Sequence, residues 1–181
     1  MFTLAVLISG RGSNLQAIQK NIESGILQSK AQIAVVISNK ENASGLDFAR
    51  EHGLNTAFCP AEKDVLAELE RHSVDLICLA GYMRVLSADF VNKYAGKIIN
   101  IHPTLLPKHP GLHVYEKVLA AGDTESGCTV HYVDAGVDTG KIIAQKKVPV
   151  LPDDTPDTLA ARVLEQEHVL YSEVILKLCK K

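Results

Sequence analysis

The first hundred residues alternate between apolar runs and amphipathic segments. The continuous runs FTLAVLIS (2–9), AQIAVVIS (31–38) and VDLICLAG (74–81) are typical of parallel strands that are covered on both faces. Shorter runs over 55–59 and 97–102 predict two more strands. Apolar residues at helical spacing predict helices over the intervening segments, at 13–24, 44–52, 62–72 and, after Ser87 as N-cap, up to Tyr94. This rhythm predicts a mostly parallel twisted sheet with helices on both faces.

The pattern changes after His102. Pro103, Pro107 and Pro110 predict an irregular loop that reaches Gly111. The remaining elements that the pattern predicts are a helix over 114–121, strands over 127–134 and 140–150, and a last helix with Thr155 as N-cap and Pro156 at its first position. We therefore expect one α/β domain, Rossmann-like, with an antiparallel addition in its C-terminal part.

Composition and charge narrow the classes of function. The 181 residues suffice for one domain, and a net charge of −2 gives no reason to expect a nucleic-acid or membrane partner. No basic segment precedes an apolar run and no run has the length of a membrane span, so we expect no secretory signal. The cysteines have neither C-x-x-C nor zinc-ligand spacing, which predicts reduced thiols in a cytoplasmic protein without a metal: Cys59, Cys78, Cys128 and Cys179.

The stretch GRGSN connects the first predicted strand to the first predicted helix. Gly10 and Gly12 permit close approach of a ligand to the backbone, and Ser13 and Asn14 add polar donors at a helix N-terminus. The third glycine of a dinucleotide fingerprint is replaced by Leu15, and no G-K-[ST] of a P-loop is present. The stretch is therefore either a cradle for a single phosphate or an ordinary tight turn.

A second group of polar residues follows the fifth predicted strand. Asn100 and His102 are two apart, so their side chains share one face at the strand's carboxyl end, where α/β sheets bind ligands. An amide that stabilises an oxyanion and an imidazole that moves a proton are what transfer of an acyl group to an amine requires. Asp138 lies in the glycine-containing loop DAGVDTG, and near His102 it would raise the histidine pKa. The alternative for His102 is a structural strand histidine that precedes a proline-rich loop. His131, which shares a strand face with Thr129 and Val133, is a candidate for a supporting role only.

Four stretches, LISGRGSNLQAI, LAGYMRVLS, IINIHPTLLPKHPGLH and VDTG, resemble the folate-dependent formyltransferases. The first stretch is similar to the branch that acts on glycinamide ribonucleotide, and the resemblance runs from residue 4 to about residue 171. It implies transfer of a formyl group from 10-formyltetrahydrofolate to the amine of glycinamide ribonucleotide in purine biosynthesis. It implies small-molecule partners only, and leaves a monomer or a homodimer open.

The resemblance also implies roles for individual residues. The catalytic residues would be Asn100, His102 and Asp138. The residues that bind the ribonucleotide substrate would be Gly12, Ser13, Asn14 and Glu167. The residues that bind the folate would be Met83, Arg84, Val85, Leu86 and Asn100. Residues 1–102 would form a phosphate-binding half and residues 103–181 a folate and catalytic-loop half.

Two positions depart from the pattern of the family. Leu164 stands where some relatives have glutamine or lysine, so Arg11 is a candidate for the missing phosphate contact. Lys63 is a candidate for a folate contact that relatives make with arginine. Glu167 falls within the apolar stripe of the last helix, so it contacts either the substrate or a neighbouring lysine or arginine.

Three other interpretations remain open at this point. Met83, Val85 and Leu86 are either pocket or core residues, and Arg84 is either a folate contact or a surface charge. The chain is alternatively a formyltetrahydrofolate hydrolase or a formyltransferase on another amine, although its length leaves no room for the added domain usual in those relatives. A non-catalytic nucleotide-binding module would need only the strand, the glycine turn and the helix.

Overall fold

Strands and helices alternate through most of the computed structural model, which describes residues 1–180. The elements in chain order are β1 (Phe2–Ile8), α1 (Ser13–Ser24), β2 (Ala31–Ser38), α2 (Ser44–Glu51), β3 (Thr56–Phe58), α3 (Glu62–Glu70), β4 (Leu76–Leu79), α4 (Ala88–Lys93), β5 (Ile98–His102), α5 (Val114–Ala120), β6 (Glu125–Tyr132), β7 (Ile142–Pro149) and α6 (Pro156–Leu178). The predicted order of elements is confirmed. Within the described residues, no helix is both long and apolar enough to cross a bilayer.

The strands form one seven-stranded sheet in the order β3-β2-β1-β4-β5-β6-β7. The first five strands pair in parallel, whereas β6 is antiparallel to both β5 and β7. The predicted parallel sheet with an antiparallel C-terminal addition is therefore confirmed. Strand β1 lies at the centre of the parallel part, with β4 and then β5 on one side of it.

Both faces of the sheet are covered, as the continuous apolar runs predict. Along β1, Leu4, Val6 and Ile8 point into one core, and Ala5 and Leu7 point into the other. The first core receives apolar side chains of α1, α2, α5 and α6, and the second receives those of α3 and α4. The domain thus has three layers, and the carboxyl ends of β1, β4 and β5 meet at one edge.

Several predicted elements are shorter in the structure. The strand predicted over 74–81 covers only Leu76–Leu79, because the chain turns at Gly81, which has a φ of +73°. The predicted helix caps are confirmed: the hydroxyls of Ser87 and Thr155 accept from the N–H groups of Phe90 and Thr158.

The proline-rich segment after β5 is irregular, as predicted, but it is firmly anchored. The buried Thr129 hydroxyl on β6 donates to the Thr104 carbonyl at 2.6 Å and accepts from the Leu106 N–H at 3.1 Å. The Gln145 amide on β7 donates to the Leu106 carbonyl at 2.9 Å. These bonds satisfy backbone groups that no secondary structure pairs, and they hold the loop over the end of β5.

Candidate functional site

The turn GRGSN leads from β1 into α1 at the centre of the sheet. Gly12 is the N-cap of α1 with a φ of +70°, and no side chain caps the helix. The N–H groups of the first turn therefore have no acceptor within the helix and remain available to an anion.

Glycine is required at this turn for packing as well as for its positive φ. A Cβ on Gly12 would lie 3.3 Å from the Cα of Gly45, and the Gly45 N–H donates to the Gly10 carbonyl at 3.1 Å. Gly45 is the second residue of α2 and was not among the residues that sequence reasoning selected. A Cβ on it would lie 2.5 Å from the Ile8 side chain, so this pair of glycines lets the first turns of α1 and α2 approach each other.

Asn14 and Glu167 are paired in the interior between α1 and α6. The Asn14 side-chain amide donates to the Glu167 carboxylate at 2.7 Å, and both residues are buried. Burial raises the pKa of Glu167, and the bond from Asn14 acts in the opposite direction. Glu167 thus faces inward as its helical position predicts, but its partner is Asn14 and neither a lysine nor an arginine.

The histidine cluster, defined as Asn100, His102, His131 and Asp138, lies at the carboxyl end of β5. His102 Nδ1 is 3.3 Å from Asp138 Oδ2. Asn100 Nδ2 is 3.3 Å from His131 Nε2 and 3.5 Å from Asp138 Oδ1. The structure therefore brings the three residues expected to be catalytic together, and His131 joins them from the adjacent strand β6.

Asp138 is held in place by a residue that sequence reasoning did not select. It adopts a left-handed backbone with a φ of +55°, and its Oδ2 accepts from the Gly111 N–H at 2.9 Å. Its side chain remains only 13% exposed. Burial acts to raise the pKa of Asp138, but hydrogen bonding with His131 and Gly111 outweighs burial, so the pKa is lowered and the carboxylate is charged at neutral pH.

His102 is 4% exposed, so its ring is almost completely enclosed by the protein. Its Nε2 donates to the His109 carbonyl at 3.0 Å. Burial lowers the pKa of His102, and this effect outweighs the upward contributions of the His109 carbonyl and of Asp138. The expected upward effect of Asp138 is present, but the net shift is downward. The imidazole is therefore neutral at pH 7 and able to accept a proton.

The turn and the histidine cluster are separated by the width of two strand spacings. Leu7 on β1 pairs with Leu79 on β4, and Leu79 pairs with Asn100 on β5. Neighbouring strands lie about 4.8 Å apart, so roughly 10 Å separates the two groups along the sheet edge. The two groups therefore face the same edge of the sheet, two strands apart.

The segment 83–86, expected to contact a folate, is divided in the structure. Met83 and Val85 are 66% and 73% exposed, whereas Leu86 is buried in the second core. The Met83 N–H donates to the Ser9 hydroxyl at 2.8 Å, which ties the segment to the end of β1. The Arg84 guanidinium donates to the Pro60 carbonyl. Leu86 is thus a core residue, and Met83 and Val85 form an exposed apolar border beside the sheet edge.

Two cationic side chains border the turn itself. Arg11 and Lys40 line an open cleft of about 400 Å³ between the ends of β1 and β2.

Leu164, half-buried on α6, offers no polar atom to a ligand. Among residues 1–180, no group of three or more histidine, cysteine, aspartate or glutamate side chains is placed to hold a metal ion.

Comparison with known proteins identifies what this chain resembles. The model of the family described as formyl transferase matches residues 2–175. The trifunctional purine biosynthetic protein adenosine-3 of Drosophila melanogaster is 49% identical over 184 residues, which cover 97% of this chain and 14% of that protein. The chain thus spans about a seventh of the length of that relative.

Two other proteins are similar to this chain over most of their own length. The phosphoribosylglycinamide formyltransferase of Escherichia coli K12 is 44% identical, over 95% of this chain and 84% of that protein. The crystal structure of phosphoribosylglycinamide formyltransferase from Anaplasma phagocytophilum superimposes with a TM-score of 0.94 at 43% identity, over 99% of this chain and 87% of that chain.

Proposed function

The chain belongs to the formyl transferase family, and we propose that it transfers a formyl group from 10-formyltetrahydrofolate to the amine of glycinamide ribonucleotide. The products are formylglycinamide ribonucleotide and tetrahydrofolate. The observation that supports this reaction above others is the convergence of Asn100, His102 and Asp138 at the same sheet edge as the uncapped turn Gly10–Asn14. A cytoplasmic location in purine biosynthesis is part of the same proposal.

The reaction is direct attack by the amine, without a covalent enzyme intermediate. The amine nitrogen attacks the formyl carbon, and the carbonyl oxygen becomes an oxyanion to which the Asn100 amide donates. The neutral imidazole of His102 takes the proton that the nitrogen loses, and the charged Asp138 stabilises the imidazolium. The tetrahedral species then expels the folate nitrogen, which receives the proton that His102 took from the amine, so the imidazole is again neutral.

The ribonucleotide lies along the sheet edge in this proposal. Its phosphate binds the first-turn N–H groups at Gly12, Ser13 and Asn14, with Arg11 as an added cationic contact in place of the missing polar residue at Leu164. The pair formed by Glu167 and Asn14 lies near the amino end of the substrate in this arrangement. The separation of roughly 10 Å between the turn and Asn100 then aims the amine at the formyl carbon.

The folate lies on the other side of the histidine cluster. The exposed Met83 and Val85 supply apolar contacts to its ring, and Arg84 and Lys63 are the candidates for cationic contacts to the folate. In this arrangement residues 1–102 hold the phosphate, and residues 103–181 supply the catalytic loop and complete the folate site. No step in the proposed reaction requires a metal.

The test is product analysis with both substrates and with each alone. The protein incubated with glycinamide ribonucleotide and 10-formyltetrahydrofolate should release tetrahydrofolate and formylated ribonucleotide in equal amounts. Formate released without an amine acceptor indicates a hydrolase instead. Absence of any formylated product at high protein concentration contradicts the proposal, and a control with His102→Ala excludes a contaminating activity.

A further inference from the structure

The Nε2 atom of His102 is hydrogen-bonded to a backbone carbonyl. Nε2 lies 3.0 Å from the His109 carbonyl oxygen, and a carbonyl oxygen only accepts hydrogen bonds. Nε2 must therefore carry a hydrogen whether the ring is neutral or protonated. In the neutral ring the lone pair is then on Nδ1, which faces Asp138 at 3.3 Å.

The His109 carbonyl is held in place by the side chain of the same residue. The His109 ring Nε2 lies 2.7 Å from Asp123 Oδ2, at the turn between α5 and β6. His109 has a φ of +52°, a left-handed conformation that a residue with a side chain rarely adopts. Such a conformation persists only where neighbouring contacts hold it, and the bond to Asp123 is one such contact.

Asp123 is well suited to this task. It also accepts from Lys108 Nζ at 2.7 Å, and hydrogen bonds from Lys108 and His109 lower its pKa, so it stays charged at neutral pH. The Thr104 hydroxyl donates to the Lys108 carbonyl at 2.9 Å and lies 3.3 Å from the His109 carbonyl oxygen. The His109 carbonyl that contacts His102 therefore belongs to a loop that is held by a side-chain contact with Asp123 and by backbone contacts with Thr104.

We propose that His109 and Asp123 are positioning residues, which hold the His109 carbonyl against His102 Nε2 and so make Nδ1 the atom that takes the proton of the attacking amine. The kinetic part of this inference rests on the proposed function, and the tautomer itself does not. Neither residue touches the reacting atoms, so both act through His102.

Each element packed around His102 contributes its own group to that environment. Asp138 faces the ring from the 134–140 loop, His131 from β6 and Lys117 from α5. Asp138 acts to raise the pKa of His102, and His131 and Lys117 act to lower it. Among residues 1–180, only the His109 carbonyl is bonded to Nε2, so loss of the His109–Asp123 pair should change the tautomer as well as the pKa.

The direct test is the ¹⁵N NMR spectrum of the imidazoles in the free protein, assigned with His102→Gln. In the wild type we expect the neutral His102 to carry its hydrogen on Nε2. Two variants loosen the carbonyl: Asp123→Asn keeps the size of the side chain but removes its charge, and His109→Gly removes the ring while tolerating the positive φ. Both should give a mixture of the two tautomers.

The kinetic test uses the same variants. We expect kcat to fall roughly tenfold with the KM for the ribonucleotide within about twofold, because the loss affects proton transfer and not substrate binding. The limb of the pH–rate profile that reports His102 should move to lower pH, since the lost bond had favoured the imidazolium. Lys108→Met is the matched control: it removes the exposed partner of Asp123, keeps the His109 bond, and should leave kcat and tautomer unchanged.

The outcomes separate this inference from the proposed function. A wild-type His102 with its hydrogen on Nδ1 overturns the inference without any variant, and so do variants that keep both the Nε2 hydrogen and the wild-type kcat. If His109→Gly does not fold, the wild-type spectrum and the Asp123→Asn variant still test the tautomer of His102 and its dependence on Asp123. A wild-type protein that forms no formylated product contradicts the proposed function alone, because the tautomer is read in the absence of substrate.

Discussion

The turn Gly10–Asn14 and the histidine cluster face the same sheet edge, but the chain builds them in different ways. The turn consists of consecutive residues, and what it offers a ligand is backbone N–H groups at the start of α1. The histidine cluster joins side chains from β5, β6 and the 134–140 loop, and its geometry depends on bonds to a fourth segment at His109 and Gly111.

This difference predicts how each region responds to change. A backbone site tolerates substitution of most side chains and fails when the local conformation is disturbed. A site of convergent side chains fails when one reacting group is lost, and it is also sensitive to the residues that hold that group. Substitutions in the histidine cluster should therefore act on kcat, and substitutions in the turn should act on ribonucleotide binding and on stability.

The largest effect is expected for His102→Ala. Loss of the base proposed to take the proton of the amine should reduce kcat by roughly 10³-fold, an effect typical of a positioned general base. The affinity for the ribonucleotide should change little, because the turn proposed to bind the phosphate lies two strands away. Steady-state kinetics and calorimetric titration of the ribonucleotide measure the two effects.

His52→Ala is the matched control for this experiment. His52 is exposed at the end of α2 and should leave kcat unchanged when replaced. If His102→Ala keeps more than a tenth of the wild-type rate, the ring is a structural residue of β5 and the catalytic assignment is wrong.

The next largest effect is expected for Asp138→Asn. The carboxylate acts to raise the pKa of His102, so its removal should lower that pKa further. Because the rate rises as His102 loses its proton, the acidic limb of the pH–rate profile should move to lower pH, and kcat at neutral pH should fall by roughly 10- to 100-fold. Asp153→Asn, an exposed carboxylate, is the control, and an unshifted limb contradicts the partnership.

Local regularities account for what the sequence predicts well. Alternation along β5 places Asn100 and His102 on one face, and the continuous apolar runs predict a sheet covered on both sides, as the two cores confirm. The helical wheel of α6 predicts that Glu167 points inward. Each of these inferences spans only a few residues, within which backbone geometry determines where a side chain points.

Contacts over long distances in the chain account for what the sequence predicts poorly. Nothing in the spacing places Asp138 beside His102, and only the family resemblance suggested it. The bond from the Gly111 N–H and the contact of the His109 carbonyl are made by backbone groups, which carry no residue-type signal. The net direction of the His102 pKa depends on burial, and that burial is a property of the folded chain alone.

A smaller effect is expected for Gly12→Ala in the turn. The left-handed φ of +70° alone costs a residue with a Cβ about 1 kcal/mol, and the new Cβ would lie 3.3 Å from the Gly45 Cα. We expect a loss of roughly 2 kcal/mol of unfolding free energy, with an increase in the KM for the ribonucleotide and little change in kcat.

Gly53→Ala separates the two costs of that substitution. Gly53 has a similar φ of +68°, but a Cβ there would meet nothing within 4 Å. Gly53→Ala should lower the free energy of unfolding by only about 1 kcal/mol, which is the cost of the backbone conformation, and it should keep the wild-type KM. Urea unfolding of both variants gives the comparison; equal losses and equal KM values would show that close packing against α2 is unimportant.

The smallest effect is expected for Glu167→Gln, and it depends on pH. The folded pKa of Glu167 is raised above its unfolded value, mainly by burial, so folding favours the protonated form. Tighter binding of the Glu167 proton in the folded protein adds to the free energy of unfolding. This contribution is complete below the unfolded pKa, near 4.5, and it is lost as pH rises through the folded pKa. Glutamine mimics the neutral acid at every pH and retains an acceptor for the Asn14 amide, which removes this loss.

The variant should therefore match the wild type near pH 4 and exceed it by about 1 kcal/mol at pH 8, because a buried carboxylate with a single amide partner is costly to keep charged. Glu165→Gln, exposed on the same helix, should show no such dependence on pH. A difference between wild type and Glu167→Gln that stays constant from pH 4 to pH 8 would mean that Glu167 is as well solvated in the folded protein as in the unfolded chain. The pairing with Asn14 would then be a surface contact, and the turn would have no buried charge behind it to help orient an amine.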